Sequence, residues 1–299
     1  MLDYQALSAL TAIIRTGSFE KAARQLGVTR SAVSQRIRQL EERMGTVLIK
    51  RGQPCTATEA GHRLVQHVGE VELLERAVQG DLGEPAPLAQ ATTVRIAVNA
   101  DSLATWFVAA LAEVDGLLFD LVVDDQDYSA DWLAKGEVVA AVSSQAKPVQ
   151  GCDCRPLGAL RYVATASQGF IDKWFADGVT TQALERAPSM VFNVKDRLQD
   201  NWAQSAVGAE PVLPSHFLPS TQAFIDAAQA GLGWGMNPEV LVQPLITDGC
   251  LAELVPGHPL DVPLYWHCSR LAAPALSDLN KAVREIAHAK LEPLEDQLD

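Results

Sequence analysis

The stretch Phe19–Leu40, FEKAARQLGVTRSAVSQRIRQL, constrains this chain more than any other segment. It reads as two short amphipathic helices broken at Gly27, where glycine can take the left-handed conformation a sharp turn requires. In the first helix Phe19, Ala22, Ala23 and Leu26 recur at helical spacing, and Glu20, Lys21, Arg24 and Gln25 face out. Ser18 is a natural N-cap, and Gly17 ends a preceding helix striped by Leu7, Leu10, Ile13 and Ile14. Thr29 caps the next helix, whose inward face is Val33, Ile37 and Leu40. Arg30, Ser31, Ser34, Gln35 and Arg38 are left exposed and rich in donors. Arg and Gln can make two-point contacts with guanine and adenine edges, and Ser and Thr can serve bases or phosphates. This is the layout of a helix-turn-helix whose second helix lies in a DNA major groove.

One Arg-rich amphipathic helix alone reads as a solvated surface helix. Three consecutive helices with correct punctuation, followed by a basic hairpin, weigh against that. The hairpin is Val47–Arg51, a turn with Gly52 and Pro54, then Cys55–Ala57; this small wing places Lys50 and Arg51 to meet phosphates. Residues 1–58 hold nine Lys/Arg against four Asp/Glu, about +5, so the chain total of −13 leaves −18 elsewhere. A basic module on an acidic body can still dock on DNA, with salt-sensitive affinity. The acidic body is no second nucleic-acid surface. It suits a cationic small ligand, although acidic surfaces also serve solubility alone.

At 299 residues the chain has room for two or three domains with adequate cores. No run approaches a membrane span, and the N-terminus enters an amphipathic helix without a signal region, so a cytoplasmic protein is expected. Five cysteines without framework spacing fit a reducing compartment. Cys152 and Cys154 form the only close pair, and with no neighbouring His or second Cys pair no metal site is expected. No cofactor is expected either.

Thr58-Glu59-Ala60-Gly61 caps a helix running to about Val78, in which Leu64, Val68, Val71, Leu74 and Val78 form a narrow apolar seam. Such a seam suits a coiled coil, hence a dimer with two recognition helices on successive DNA turns; it would equally suit packing within its own domain. Gly80–Pro87 reads as a flexible hinge. From Thr92 strands and helices alternate. Strands are read at 94–98, 117–124, 138–142, 161–166, 189–193, 234–236 and 263–268, and helices at 102–114, 129–135, 168–175, 221–230 and 277–291. The expected class is α/β with a mainly parallel sheet, in two lobes that enclose a ligand cleft. The division is a winged helix-turn-helix at 1–58, a linker helix and hinge at 59–88, lobe I at 89–161, lobe II at 162–266, and a return to lobe I at 267–299.

The chain resembles LysR-type transcriptional regulators, through FEKAARQLGVTRSAVSQRIRQLEERMG, then LIKR, then TEAG. AVNADSLATWF (97–107), GLGWGMNPE (231–239) and VPLYWHC (262–268) resemble the ArgP/LysG branch, whose members sense basic amino acids and control genes for their export or metabolism. The resemblance implies a periplasmic-binding-protein-like effector domain and a dimer of dimers, hence a homotetramer, with RNA polymerase as a further partner. It also implies activation of a divergently oriented amino-acid exporter gene. The DNA-contacting set is then Thr29, Arg30, Ser31, Ser34, Gln35, Arg38, Lys50 and Arg51.

Under that resemblance the effector site can be argued. Asn99-Ala100-Asp101-Ser102 opens a helix whose N–H groups suit a carboxylate, and Ser220 and Thr221 open another in the opposite lobe. Asp124 and Asp125, at a strand's carboxyl end, are the expected anions for a lysine or arginine side chain, with Asp101 as second choice or as a plain helix cap. Trp106 and Trp234 could cover the aliphatic stem or pack in the core. Which basic amino acid is bound stays open, as does activation against repression.

Two other classes are weaker. An enzyme would need more than Gly231-Leu232-Gly233-Trp234-Gly235, which lacks the context of a dinucleotide loop, and six scattered His with no nucleophile elbow. A transport-type solute-binding protein would fit the α/β half but not the DNA-binding head. Within DNA binding, a nucleoid or replication-control role without effector response is the remaining alternative.

Overall fold

The computed structural model describes residues 2–82, 92–123 and 129–294. The chain divides into two units, Met1–Val94 and Arg95–Asp299.

The first unit opens with three helices, α1 (Tyr4–Thr16), α2 (Phe19–Gln25) and α3 (Arg30–Met44). Each is started by a short polar side chain: Asp3 accepts from the Gln5 and Ala6 amides, Ser18 from Glu20 and Lys21, and Thr29 from Ala32. Gly27 joins α2 to α3 at φ 65°, so a residue with a Cβ would be strained there. Leu7, Leu10, Ile13, Ala22, Val33, Ile37 and Leu40 make one buried core. Strands β1 (Ile49–Lys50) and β2 (Thr56–Ala57) pair antiparallel as the wing. Glu41 fixes that wing to α3 by accepting from the Leu48 amide at 2.8 Å.

Helix α4 (Glu59–Asp81) follows, and its start explains TEAG. The Thr58 hydroxyl donates to the Val47 carbonyl at 2.7 Å and accepts from the Gly61 amide at 3.1 Å. A Cβ at Gly61 would collide with the Leu48 carbonyl oxygen, so α4 can lie against the wing backbone only with glycine there. The expected seam divides in two. Leu64 and Val68 pack into the helix-turn-helix core, whereas Leu74 and Val78 remain exposed. Of the expected hinge, residues 83–87 lie outside the described residues.

In the second unit β3 (Thr92–Val98) leads into α5 (Ala100–Ser102), a π turn (Leu103–Phe107) and α6 (Val108–Ala112). Then come β4 (Leu117–Val123), α7 (Ser129–Ala134), β5 (Ala140–Ser143) and the 15-residue strand β6 (Cys152–Ala166). The next run is α8 (Gln168–Trp174), α9 (Thr181–Leu184), β7 (Ser189–Val191), α10 (Leu198–Val207), β8 (Ser215–Phe217) and α11 (Thr221–Gln229). The chain finishes with β9 (Gly235–Pro238), α12 (Glu239–Thr247), β10 (Ala252–Glu253), β11 (Leu260–Ser269) and α13 (Ser277–Lys290).

The main sheet runs β10-β6-β11-β5-β3-β4, with β9 also on β6. It is mixed, which corrects the expectation of a mainly parallel sheet: β3–β5 is parallel, but β11–β5, β11–β6, β10–β6 and β9–β6 are antiparallel. The reason lies in β6 and β11. These two long strands pair from Leu260–Tyr162 to Ser269–Cys152 and carry the chain from one lobe to the other and back. The expected lobe boundaries, 161/162 and 266/267, fall within them. Helices α9, α10 and α12 and strands β8 and β10 were not anticipated from the sequence. No described helix is long and apolar enough to cross a membrane.

Candidate DNA interface and effector cavity

On α3 the side chains of Arg30, Ser31, Gln35 and Arg38 are exposed and Ser34 is half-buried, along one face opposite Val33, Ile37 and Leu40. Thr29, at the helix start, shares a 3.0 Å hydroxyl–hydroxyl hydrogen bond with Ser31. Lys50 and Arg51 are exposed on the wing, and the Arg51 guanidinium lies 5.8 Å from the centre of the Phe19 ring. All eight residues expected to contact DNA therefore belong to the recognition helix or the wing. They offer guanidinium, amide, hydroxyl and ammonium donors, the chemistry that phosphates and base edges accept.

The second unit holds a cavity of about 220 Å³ between its lobes. Its walls come from the loop after β3 (Asn99, Ala100, Asp101), from the start of α10 (Phe192, Asp196, Arg197, Leu198, Gln199), from Thr221 and Phe224 of α11, from Met236–Pro238, and from Leu260–Pro263 of β11.

Asp101 is gripped by two hydroxyls. The Tyr162 hydroxyl, on β6, donates to one carboxylate oxygen at 2.8 Å, and the Thr221 hydroxyl donates to the other at 2.6 Å. Asp196 accepts from the Phe192 amide at 2.9 Å and the Leu198 amide at 3.0 Å, so it starts α10. Burial pushes its carboxyl above the ordinary range and the charge of Asp101 adds to this, against the pull of those two amides. Among the described residues Asp196 makes no ion pair. Asp261 also lines the cavity, but it is exposed and held by Arg161 through two bonds of 2.8 and 2.7 Å. Gln199 is 1 % exposed, and neither its amide nitrogen nor its amide oxygen has a hydrogen-bond partner. Asn237 donates to Thr165 at 3.0 Å, while its oxygen is buried without a partner.

Of the residues expected at the effector site, Asp101 and Thr221 meet in this cavity. Ser220 stays outside its walls as the exposed N-cap of α11. Ser102 and Trp106 are corrected: both are at most 1 % exposed and neither lines the cavity. The helix after β3 turns that face into the core, where Trp106 packs edge-on against Phe107 with ring centres 5.4 Å apart. Trp234 is also core, 5.2 Å from Trp202. Phe192, Phe224, Met236 and Val262 supply the apolar wall instead. Asp124 and Asp125 lie outside the described residues. Asp196, Gln199 and Asn237 were missed by sequence reasoning. The one available signal was Asp196 two residues before a helix, a start that reads as ordinary capping.

The cysteine pair proves to have a histidine neighbour. Register on β6 and β11 sets Cys154 opposite His267, with sulfur and Nε2 3.6 Å apart. Among the described residues no group of three or more His, Cys, Asp or Glu could hold a metal. Burial raises the Cys152 and Cys154 thiols and pushes Cys268 to about 12, so all three stay protonated and unreactive near neutrality.

A winged helix-turn-helix with a donor-rich recognition face, followed by a two-lobed α/β unit with an acid-lined cleft, defines a ligand-responsive DNA-binding regulator. Two family profiles match the chain: "Bacterial regulatory helix-turn-helix protein, lysR family" over residues 4–62 and "LysR substrate binding domain" over residues 89–288. The chain belongs to the LysR family of transcriptional regulators and is not an enzyme. It is 43% identical over 286 residues to the HTH-type transcriptional regulator LysG of Mycobacterium tuberculosis, covering 96% of this chain and 94% of that protein. The crystal structure of ArgP from Mycobacterium tuberculosis superposes with a TM-score of 0.77 at 41% identity, covering 98% of this chain and 100% of that one. Full-length LysG from Corynebacterium glutamicum, solved with bound effector Arg, has a TM-score of 0.65 at 35% identity and the same coverage.

Proposed function

We propose that this regulator responds to a basic amino acid, lysine or arginine, held in the cavity between its lobes. The observation that carries the reading is a cavity lined by apolar side chains together with two carboxylates, Asp101 and Asp196, from different lobes. A long aliphatic stem bearing protonated nitrogens fits such a lining, because Asp196 is largely desolvated and among the described residues makes no ion pair. The relative solved with Arg as its effector supports the same ligand class.

In this reading Thr29, Arg30, Ser31, Ser34, Gln35 and Arg38 enter the major groove, and Lys50 and Arg51 hold the flanking phosphates. The exposed Leu74 and Val78 of α4 support pairing of two chains through that helix, which would present two recognition helices to a two-fold operator. A tetramer, contact with RNA polymerase and control of an amino-acid export or metabolism gene complete the proposal.

A thermal-shift and calorimetric screen of free amino acids on the full chain, with mobility shifts on its own upstream DNA, tests it. Stabilisation by lysine or arginine, with a changed DNA complex, is the expected result. A response to neutral or acidic amino acids alone would overturn it.

A further inference from the structure

Two of the carboxylates at the cavity, Asp101 and Asp196, are built differently, and the difference assigns each a part of the ligand. Asp101 sits beside the first turn of α11, where Thr221 donates to it, and the amides of that turn suit a ligand carboxylate. An α-amino acid carries its carboxylate and α-ammonium on one carbon, so both belong at this end. Asp196 lies in the other lobe, at the start of α10. Its oxygens accept from two backbone amides, the Gln199 side chain lies close by, and among the described residues it has no ion pair. The cation nearest in sequence, Arg197, is paired with Asp200 at 3.2 Å.

Gln199 supplies the independent observation. A buried amide whose donor and acceptor find no hydrogen bond is destabilising, because each has given up water without a replacement. Gln199 is such a group, and it lines the same cavity as Asp196. Its amide approaches Asp196 closely enough to ease that carboxyl's ionisation without a hydrogen bond of ordinary geometry. A charged acceptor and a neutral acceptor side by side fit a cationic group with several N–H donors. Asn237 presents a further buried oxygen to the same cavity.

Resting on the basic-amino-acid reading, we propose that Asp196 and Gln199 are the side-chain specificity contact: they take the terminal guanidinium or ammonium of the effector, while Asp101 takes its α-ammonium. A ligand with two protonated nitrogens then satisfies both carboxylates. A neutral amino acid satisfies only Asp101 and leaves Asp196 and the Gln199 oxygen stranded, so discrimination falls on α10.

Calorimetry on the full chain compares arginine with citrulline, which has the same shape but an uncharged ureido group. The wild-type protein should bind arginine on the order of 100-fold more tightly, and Asp196→Asn should bring that ratio below about 10. Gln199→Met keeps the volume and removes only the amide; it should weaken arginine about tenfold while leaving the free protein's Tm no lower. An unchanged ratio in Asp196→Asn, or wild-type protein that binds both ligands equally, overturns the proposal. Should Asp196→Asn fail to fold, Gln199→Met decides. Unchanged arginine affinity, or a loss accompanied by a lower Tm, then sinks the assignment. Wild-type protein that binds neither ligand removes the basic-amino-acid reading itself.

Discussion

The Thr221 hydroxyl donates to the Asp101 carboxylate across 2.6 Å, joining the two lobes at the mouth of α11. With the 2.8 Å bond from Tyr162 on the crossing strand, this carboxylate touches both lobes and the connection between them. Under the proposed reading, a cation bound at Asp101 would act on lobe I, lobe II and β6 together. That is a sound position for converting ligand binding into a change of lobe geometry.

Asp101→Asn is expected to abolish binding of lysine and arginine while DNA binding by the first unit persists. Thr221→Val, which removes one donor, should weaken the ligand by about five- to tenfold. Calorimetry for the amino acid and a mobility shift for DNA check the two halves separately. Retained arginine affinity in Asp101→Asn would place the ligand elsewhere.

Effector affinity should fall as the medium is made acidic, because of Asp196. Its carboxyl is raised in the folded chain, chiefly by burial. This group's contribution to stability is thus present below the unfolded value of about 3.9 and is lost as pH rises through the higher folded one. A cation bound beside it favours the charged form, so binding expels a proton and weakens as pH drops through the folded value. Among the described residues the other charged groups at the cavity are Asp101, Arg197 paired with Asp200, and Asp261 paired with Arg161. Arginine titrations from pH 7 downward, in buffers of different ionisation enthalpy, should show proton release, and Asp196→Asn should flatten the slope. A pH-independent affinity in the wild type contradicts this.

Arg38→Ala and Arg51→Ala should each weaken operator binding by about 1–3 kcal/mol if they reach bases, or lower the salt slope by about 1 if they reach phosphates. Arg51→Ala also loses the contact with the Phe19 ring. Mobility shifts over a salt series distinguish the cases. Unaltered binding in both variants at moderate salt would count against the docking described for α3 and the wing.

Leu74→Glu and Val78→Glu should abolish the proposed pairing of two chains through α4 without unfolding the helix-turn-helix, since both side chains are exposed while Leu64 and Val68 alone of the seam enter its core. Light scattering gives the mass and circular dichroism the fold. A dimer that survives both changes would exclude this stretch of α4 as the contact.

Gly61→Ala should destabilise the first unit by about 1–3 kcal/mol, because the added methyl runs into the Leu48 carbonyl and must push α4 off the wing. Denaturant unfolding measures this. An unchanged midpoint would show that the wing yields without cost.

The helix-turn-helix could be read from the sequence because its determinants are local. Asp3, Ser18 and Thr29 start helices, Gly17 and Gly27 end or turn them, and every apolar stripe finds its partner within forty residues. The alternating segments after Thr92 also announced an α/β construction with a cleft. What local pattern could not supply was direction across the sheet: β6 and β11 pair at separations near one hundred residues and turn the order antiparallel at its centre. The way the helix after β3 packs likewise decided that Ser102 and Trp106 face the core and Asp101 the cavity. Helix α10 escaped notice because its buried face mixes Gln199 with Trp202 and Ala203, and a buried glutamine breaks the apolar stripe by which helices are recognised. The sequence by itself determined the DNA-binding head and the acidic two-lobed body, since caps, turns and charge act over a few residues. Only the tertiary structure decided which carboxylates line the cavity, because that depends on how distant segments bring Asp101 and Asp196 together.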